Sequence, residues 1–359
     1  MTRLEEALQK ACALREYLKK ERLQGALITQ QPNFSYMTAG GRGFLGLAST
    51  VACAMLLITR DQIYLLANAI EAPRLMKEEI PEGLCQLKAL PWQEDGGLRA
   101  LAQDLAGGQV ADDGQLAGYF QSARLCLNEP ERQRYRVLGR ESARAFEDTL
   151  LQTKPGDSEF VIAGRIASAL WAIGAEPISL FIAADDHAME VRHFVPTARK
   201  AYHKVIASIC ARRHGLVISA TRSIALNEIT AAWQDRYDRL LQVEAAMLGS
   251  IVPGQPLKNC YEAACAAYEA QGMPGEFNHH HQGGLAGYLP REIRMDGNSA
   301  CFMAPGQAFA FNPSCPSAKA EDTALLTENG LEILSDSGAW PMRKIAGFDR
   351  PRIACIRKE

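Results

Sequence analysis

The alternation of two hydrophobic periods along the first half of the chain limits its fold more than any other feature. Apolar residues recur at helical spacing between charged residues, among them Leu4, Leu8 and Leu14, and they predict an amphipathic helix over residues 3–23. Apolar runs at residues 25–29, 51–59 and 62–67 then predict strands of a buried sheet. Because helices and strands alternate to about residue 120, this half is predicted to be an α/β domain.

The second half groups its predicted helices between regions of strand. A polar helix is predicted over residues 129–152, and it ends before Pro155 and Gly156. Asp157 is expected to cap the next helix, over residues 159–174. Strands are expected from 177, helices over 228–251 and 256–271, and strands again to the end. This arrangement predicts α+β structure, and a chain of 359 residues is long enough for two domains.

Composition excludes several classes of function. The net charge is −2, and no basic stripe is present, so we expect no nucleic-acid partner. No apolar run reaches the length that spans a membrane, and the first residues are typical of an amphipathic helix and not of a signal peptide. None of the ten cysteines forms a CxxC pair, and most have apolar neighbours, as reduced buried thiols do. We therefore predict a cytoplasmic protein that contacts neither nucleic acid nor membrane.

The run from Phe277 to Glu292 carries the strongest functional signal. It contains three consecutive histidines, an amide side chain, glycines that let a ligand approach the backbone, and an Arg-Glu pair. Three histidines suggest a metal site. Adjacent residues on a strand point to opposite faces, however, so at most two of them are expected to converge.

Six segments of the chain resemble the pita-bread metallopeptidase family, which includes aminopeptidase P, prolidase, methionine aminopeptidase and creatinase. The resemblance covers nearly the whole chain, and the order and spacing of the segments carry it. It implies a creatinase/prolidase-like N-terminal domain over residues 1–125 and a pita-bread catalytic-type domain over residues 126–359, α+β overall. The matching segments are residues 26–40, 192–194, 218–223, 277–292, 304–306 and 320–330.

The resemblance also shows which metal ligands this chain lacks. The family's enzymes hold two divalent ions with two Asp, one His and two Glu. The resemblance places these ligands at Ser208, Ser219, Gly284, Asn312 and Glu321, so only Glu321 keeps a ligand side chain. Hard divalent cations need several anionic oxygens. We therefore predict no dinuclear centre and no cofactor, and whether residues 279–281 bind a single ion stays open.

The groups that bind substrate in the family persist in part. The resemblance implies substrate-binding roles for His193 and His280, and it places Arg291 where a third histidine would lie. Glu321 is expected to orient water and to raise the pKa of the histidine base. Arg222, on an apolar strand, is expected to pair with Glu321 or to clamp a substrate carboxylate. We predict catalytic roles for His193, His280 and Glu321, and substrate-binding roles for Arg222, Arg291, Tyr288, Gln282 and Asn312.

Two classes of function stay open. The first is a metal-independent hydrolase, similar to creatinase, that acts on a small polar amide, peptide or amidine. The second is a non-catalytic pseudo-peptidase that binds a small ligand or partner. The lost ligands argue against ordinary metallopeptidase activity. The expected partner is a small molecule or short peptide, and the resemblance implies a homodimer.

Overall fold

The computed structural model describes residues 1–356, which form two compact units. The first contains residues 1–124 together with 214–216, and the second contains residues 125–213 together with the described residues from Val217 onward.

The first unit is built around a mixed sheet with strand order β4-β3-β2-β1-β5. Strand β1 pairs antiparallel with β2 and parallel with β5, and Leu27, Leu57 and Leu66 pack into one apolar cluster with Leu98. A π-helical turn (Leu75–Glu79) follows α3, and a 3₁₀ turn (Trp92–Gly97) precedes α4. The elements of this unit are α1 (Arg3–Lys20), β1 (Gly25–Gln30), α2 (Gln31–Met37), β2 (Val51–Thr59), β3 (Ile63–Asn68), α3 (Ala72–Arg74), β4 (Gln86–Leu90), α4 (Leu98–Ala106), β5 (Val110–Asp112) and α5 (Ala117–Leu125).

The second unit begins with helices and continues into several sheets. A 3₁₀ turn (Glu276–His279) precedes β9. The elements are α6 (Glu129–Leu150), α7 (Glu159–Ala172), β6 (Glu176–Ala184), α8 (His187–Glu190), β7 (Lys204–Arg213), β8 (Leu216–Ala225), α9 (Ala231–Gly249), α10 (Lys258–Ala270), β9 (Gly283–Ala286), β10 (Ile293–Arg294), β11 (Ala308–Phe311), β12 (Ser314–Cys315), β13 (Ala318–Lys319), β14 (Asp322–Thr327), β15 (Gly330–Ile333), β16 (Met342–Ile345), β17 (Phe348–Pro351) and β18 (Ala354–Cys355).

Two sheets of the second unit matter for the site. One has the order β18-β8-β7-β6, and the other has the order β10-β9-β11-β14-β15. A bridge between Thr221 of β8 and Glu321, just before β14, connects them, with the Thr221 amide donating to the Glu321 carbonyl at 2.8 Å. An apolar cluster of this unit includes Tyr237 of α9, Tyr268 of α10 and Phe309 of β11, all fully buried. The strand edges that carry polar side chains are therefore fixed by a packed core.

The sequence patterns predicted the main elements within a few residues. The helix predicted over residues 3–23 is Arg3–Lys20, and a capping box formed by Thr2 and Glu5 begins it. One detail was wrong: Asp157 does not cap α7, because the Ser158 hydroxyl accepts from the Val161 amide. The Asp157 carboxylate instead accepts from the Lys154 amide and pairs with Arg165. Among residues 1–356, the helices are all too short or too polar to cross a bilayer.

Candidate functional site

A cavity of about 340 Å³ opens in the second unit at the meeting point of these strands. A volume of this size accommodates a small molecule. The cavity is lined by Ser179, Phe181, His193, Ser208, Cys210, His281, Leu289, Pro290, Arg291, Arg294, Asn312, Lys319 and Glu321.

The floor of the cavity is a chain of hydroxyl groups that ends at a carboxylate. The period of two along β7 places Ser208 and Cys210 on one face. The Ser208 hydroxyl lies 2.7 Å from the Thr221 hydroxyl, and Thr221 donates to Oε2 of Glu321 at 3.0 Å. In this series of hydrogen bonds, Thr221 donates its only hydroxyl proton to Glu321.

Glu321 holds two cationic side chains at the cavity wall. Its Oε1 lies 2.9 Å from Nη2 of Arg291, and its Oε2 lies 3.3 Å from Nζ of Lys319. All three side chains are buried. Burial alone raises the pKa of the Glu321 carboxyl, but Lys319 and Arg291 lower it to about 2. Glu321 is therefore ionised at every pH at which the protein would work.

Three histidines gather beside these charges. Nε2 of His280 lies 3.1 Å from Nε2 of His193, so one of the two rings donates to the other. The rings of His280 and His281 stack with centroids 4.5 Å apart. The two residues belong to an irregular segment between the 3₁₀ turn and β9, and not to a strand. Adjacent side chains there need not alternate between faces, so both turn toward His193, while His279 is exposed.

The surroundings keep these imidazoles neutral. Burial, the Lys319 ammonium and the two neighbouring histidines lower the pKa of His280 to about 3. Burial, Arg291 and Arg294 lower the pKa of His281 to about 4, and burial and Lys319 lower that of His193. Glu321 does act to raise the pKa of each histidine, as expected, but the net shift is downward. Its favourable charge is outweighed by burial and by the cations that it holds.

The structure brings most of the predicted site residues together. His193, Arg291, Asn312 and Glu321 line the one cavity, and His280 lies directly behind His193. Asn312 is buried, and its Oδ1 has no hydrogen-bond partner among the described residues. Nε of Arg291 is also buried without a partner. These two atoms are available to a ligand.

Arg222 is placed elsewhere, against the prediction that it clamps substrate or pairs with Glu321. It is 0% exposed. Its guanidinium donates to Glu147 at 2.6 Å, to Asp322 at 3.0 Å and to the Ser335 carbonyl at 2.7 Å. Because side chains alternate along a strand, Thr221 turns toward Glu321 of the cavity lining, while Arg222 and Asp322 face the opposite side.

Tyr288 and Gln282 are buried behind the cavity wall, and neither lines it. The Tyr288 hydroxyl donates to Glu131 at 2.6 Å. The Gln282 amide accepts from the Tyr268 hydroxyl at 3.0 Å and donates to the carbonyls of Phe277 and His280. Gln282 therefore orders the histidine turn and does not contact a ligand in the cavity.

The cavity is also lined by His281, Lys319 and Arg294, which were not among the predicted catalytic and substrate-binding residues. For Lys319 a signal was present, because it precedes Glu321 by two positions, the spacing that places side chains on one face of a strand. Arg294 lies on β10 directly opposite Gly284 of β9. That pairing depends on long-range register, which no local pattern indicates.

The sequence model of Metallopeptidase family M24 matches residues 133–329. This match covers more than half of the chain, and the chain therefore belongs to this family. It extends from α6 to the turn that follows β14, and thus contains every residue that lines the cavity.

Solved structures share the fold over nearly the whole chain. The dipeptidase PepE from Mycobacterium ulcerans matches with a TM-score of 0.78 at 18% identity, covering 99% of both chains. The prolidase from Pyrococcus horikoshii matches with a TM-score of 0.76 at 18% identity, covering 92% of this chain and 98% of that one. The X-Pro aminopeptidase from Thermotoga maritima matches with a TM-score of 0.75 at 15% identity, covering 96% and 99%. No curated protein matches the chain. The pita-bread fold is thereby confirmed.

The residues of this cavity do not fit the two divalent ions that the family implies. Ser208 and Asn312 supply no charge, and the carboxylate of Glu321 is already engaged by Lys319 and Arg291. At Gly284, φ is +152°, and an added Cβ would lie 2.0 Å from the Ile293 carbonyl oxygen. This backbone therefore leaves no room for a histidine ligand at position 284.

One other group could hold a metal ion among the described residues. The ligand atoms of His193, His280 and His281 all lie within 4.8 Å of one another. Neutral imidazoles are good zinc ligands. The cations Lys319, Arg291 and Arg294, however, lower the pKa of these rings and oppose a divalent ion in the same way that they oppose a proton.

Proposed function

We propose that the chain is a hydrolase that cleaves a C–N bond of a small polar amide, peptide or amidine and uses a histidine base in place of a dinuclear metal centre. The observation that carries the proposal is the neutral His193–His280 pair at the cavity, with Nε2 atoms 3.1 Å apart. A neutral imidazole accepts a proton from water. The matched structures are titled dipeptidase, prolidase and X-Pro aminopeptidase, which supports a peptide or a related C–N compound as substrate.

The proton path runs through His193, which lines the cavity. In the tautomer in which His193 donates its Nε2–H to His280, Nδ1 of His193 accepts a proton from water. The resulting hydroxide adds to the substrate carbon. The C–N bond then breaks, and the leaving nitrogen takes the proton from His193. The products are an acid and an amine from an amide or peptide, or an amide and an amine from an amidine.

Substrate is held by the side chains around the pair. Arg291 presents an unpartnered Nε to a substrate carboxylate, and Asn312 presents an unpartnered Oδ1 to a substrate N–H. Both carboxylate oxygens of Glu321 are engaged by Arg291, Lys319 and Thr221. We therefore assign Glu321 a positioning role, in which it fixes the two cations, and not the orientation of water.

The experiment is a product search with protein that has been stripped of metal by a chelator. N-acyl amino acids, dipeptides, Xaa-Pro dipeptides and amidines are incubated with the protein, and new acids and amines are detected by mass spectrometry. We expect cleavage of at least one class that a chelator does not inhibit and that His280→Ala lacks. Cleavage that appears only after manganese, cobalt or zinc is added would contradict the proposal.

The alternative is a pseudo-peptidase that binds a ligand without turnover. One observation favours it: burial and Lys319 lower the pKa of His193, the proposed base, and a weaker base accepts a proton from water less readily. A tightly bound small ligand that is recovered unchanged after long incubation with the wild-type protein would establish the alternative.

We further propose that the catalytic-type domain begins near residue 126, because the cavity residues all lie between Ser179 and Glu321. A cytoplasmic location is supported by the ten cysteines, all of which are free. A homodimer is supported only by the family resemblance. Light scattering on the purified chain would test it, and a monomer mass would contradict it.

A further inference from the structure

Positively charged side chains outnumber negative ones in the cavity. Three of its lining residues are cationic, namely Arg291, Arg294 and Lys319, and one is anionic, Glu321. The histidines are neutral there, since burial and the nearby cations lower their pKa values. The lining therefore has an excess of two positive charges.

The single carboxylate does not compensate all three cations. Glu321 pairs with Arg291 and Lys319. Arg294 makes no hydrogen bond or ion pair to any described residue, although it reaches the cavity lining. Arg291 Nε and Asn312 Oδ1 are also left without partners. Charge in a cavity with protein walls is poorly screened and attracts a counter-ion.

The excess positive charge lies in the region to which the family resemblance assigns the metal ions. Ser208, Asn312 and Glu321, at positions where the family holds two metal ions, line the same cavity. Side-chain cations thus occupy the region in which divalent cations would lie, and they hold the remaining carboxylate. In a site with two divalent metal ions, the carboxylates of the protein and the substrate together balance four positive charges. Here the protein supplies only one carboxylate against three cationic side chains, so the ligand must supply the other negative groups.

We propose that the cavity binds a small dianion, with negatively charged oxygens held by Arg294 on one side and by Arg291 and Lys319 on the other. The inference names the ligand class of the site proposed above and rests on the location of that site, but not on turnover. A dicarboxylate and a phosphate ester share the required chemistry. Guanidinium groups bind both, in bidentate geometry.

The test is calorimetric binding to chelator-treated protein at pH 8 and low salt. The probes are succinate, glutarate, butyrate, the neutral diamide of succinic acid, and inorganic phosphate. We expect succinate or glutarate to bind at least about 10-fold more tightly than butyrate, the diamide not to bind, and affinity to fall as salt is added. Phosphate binding more tightly than both dicarboxylates would also support a dianion and would identify phosphate as the anionic group.

Arg294 is the decisive residue because it is exposed and makes no hydrogen bond or ion pair to residues 1–356, so its replacement should leave the fold intact. Arg294→Gln should weaken dianion binding about 10-fold or more, and Arg294→Lys should restore part of it. The matched control is Arg140→Gln, an exposed arginine of α6, which should change nothing.

Three results would overturn the inference: equal binding of the diamide, unchanged binding by Arg294→Gln, or binding that requires added zinc. In the last case a metal at His193, His280 and His281 would supply the charge. A dianion that binds but is never cleaved leaves the inference intact and contradicts only the proposed hydrolase.

Discussion

Three consecutive histidines have three different environments, and this difference can be tested at the scale of single residues. His280 is buried against His193, His281 stacks on His280, and His279 is exposed. If the His193–His280 pair is the base, His280→Ala should lower kcat/KM by about 10²- to 10⁴-fold. His279→Ala is the matched control and should leave kcat/KM within about a factor of two. Equal effects of the two variants on kcat/KM would show that the His193–His280 pair is not the catalytic base.

Glu321 should matter for both stability and activity. Glu321→Gln leaves Lys319 and Arg291 buried without a countercharge, so the free energy of unfolding should fall by about 3–5 kcal/mol. Activity should fall by about 10²-fold because the two cations lose their fixed positions. Denaturant titration and steady-state kinetics measure the two effects.

The exposed carboxylate of Glu332, which pairs with Arg136, gives the control. Glu332→Gln should alter the free energy of unfolding by less than about 1 kcal/mol. A Glu321→Gln protein that is as stable and as active as the wild type would show that the cations need no partner.

The lowered pKa values of the histidines set the direction of the pH dependence. A base whose pKa lies below 6.5 stays neutral, and therefore active, as the pH falls through 6.5. We expect the acid limb of kcat/KM, which reports the free enzyme, to lie below pH 6.5, because the pKa of His193 is lowered by burial and Lys319. A bound anion stabilises the imidazolium, so the acid limb of kcat should lie at higher pH than that of kcat/KM. An acid limb of kcat/KM at or above pH 6.5 would contradict the burial of this pair.

At the scale of elements, local periodicity was sufficient to predict helices and strands but not the faces of the strands at the site. Residues 51–59 form β2 as predicted, and α6 begins at Glu129 as predicted. Thr221 and Arg222 are neighbours on β8, a strand whose ten residues are all buried. Nothing in such a strand tells which of two adjacent polar residues faces a cavity, so Arg222 was assigned to the wrong side.

The position of Arg222 follows from a network that ties several elements together. It pairs with Glu147 of α6 and Asp322 of β14, and Arg350 of β17 joins Asp322 to Glu244 of α9. All five side chains are buried. The network fixes the strand register that places Thr221 and Glu321 at the cavity, so Arg222 serves the site only indirectly.

This assignment predicts that Arg222 supports the fold and not the ligand. Arg222→Met leaves Glu147 and Asp322 with less positive charge, so the free energy of unfolding should fall by about 3–5 kcal/mol. The folded variant should keep its affinity for the dianionic probes. Arg144→Met, which breaks the exposed pair with Asp148, is the control and should cost less than about 1 kcal/mol. An Arg222→Met variant of normal stability that binds the dianionic probes 10-fold more weakly would show that Arg222 contributes to ligand binding.

At the scale of the whole molecule, the chain keeps the family's fold while the charges at the position of the metal site have changed. The matched structures share the fold over more than nine-tenths of this chain. Retention of the fold does not require the metals, because the network around Arg222 and the apolar core stabilise the same sheets. A fold and its metal site can therefore diverge separately.

The metal content of the purified chain tests this separation directly. The resemblance places four of the family's five ligand positions at Ser208, Ser219, Gly284 and Asn312 and the fifth at Glu321, which Lys319 and Arg291 engage. Manganese, cobalt and zinc should each be well below one ion per chain after dialysis against a chelator, as measured by elemental analysis. About two ions per chain would contradict this prediction.

One zinc per chain that disappears in His281→Ala but persists in His279→Ala would place a single ion on the histidine cluster. The excess positive charge of the cavity makes that ion unfavourable, because Arg291, Arg294 and Lys319 would lie beside it.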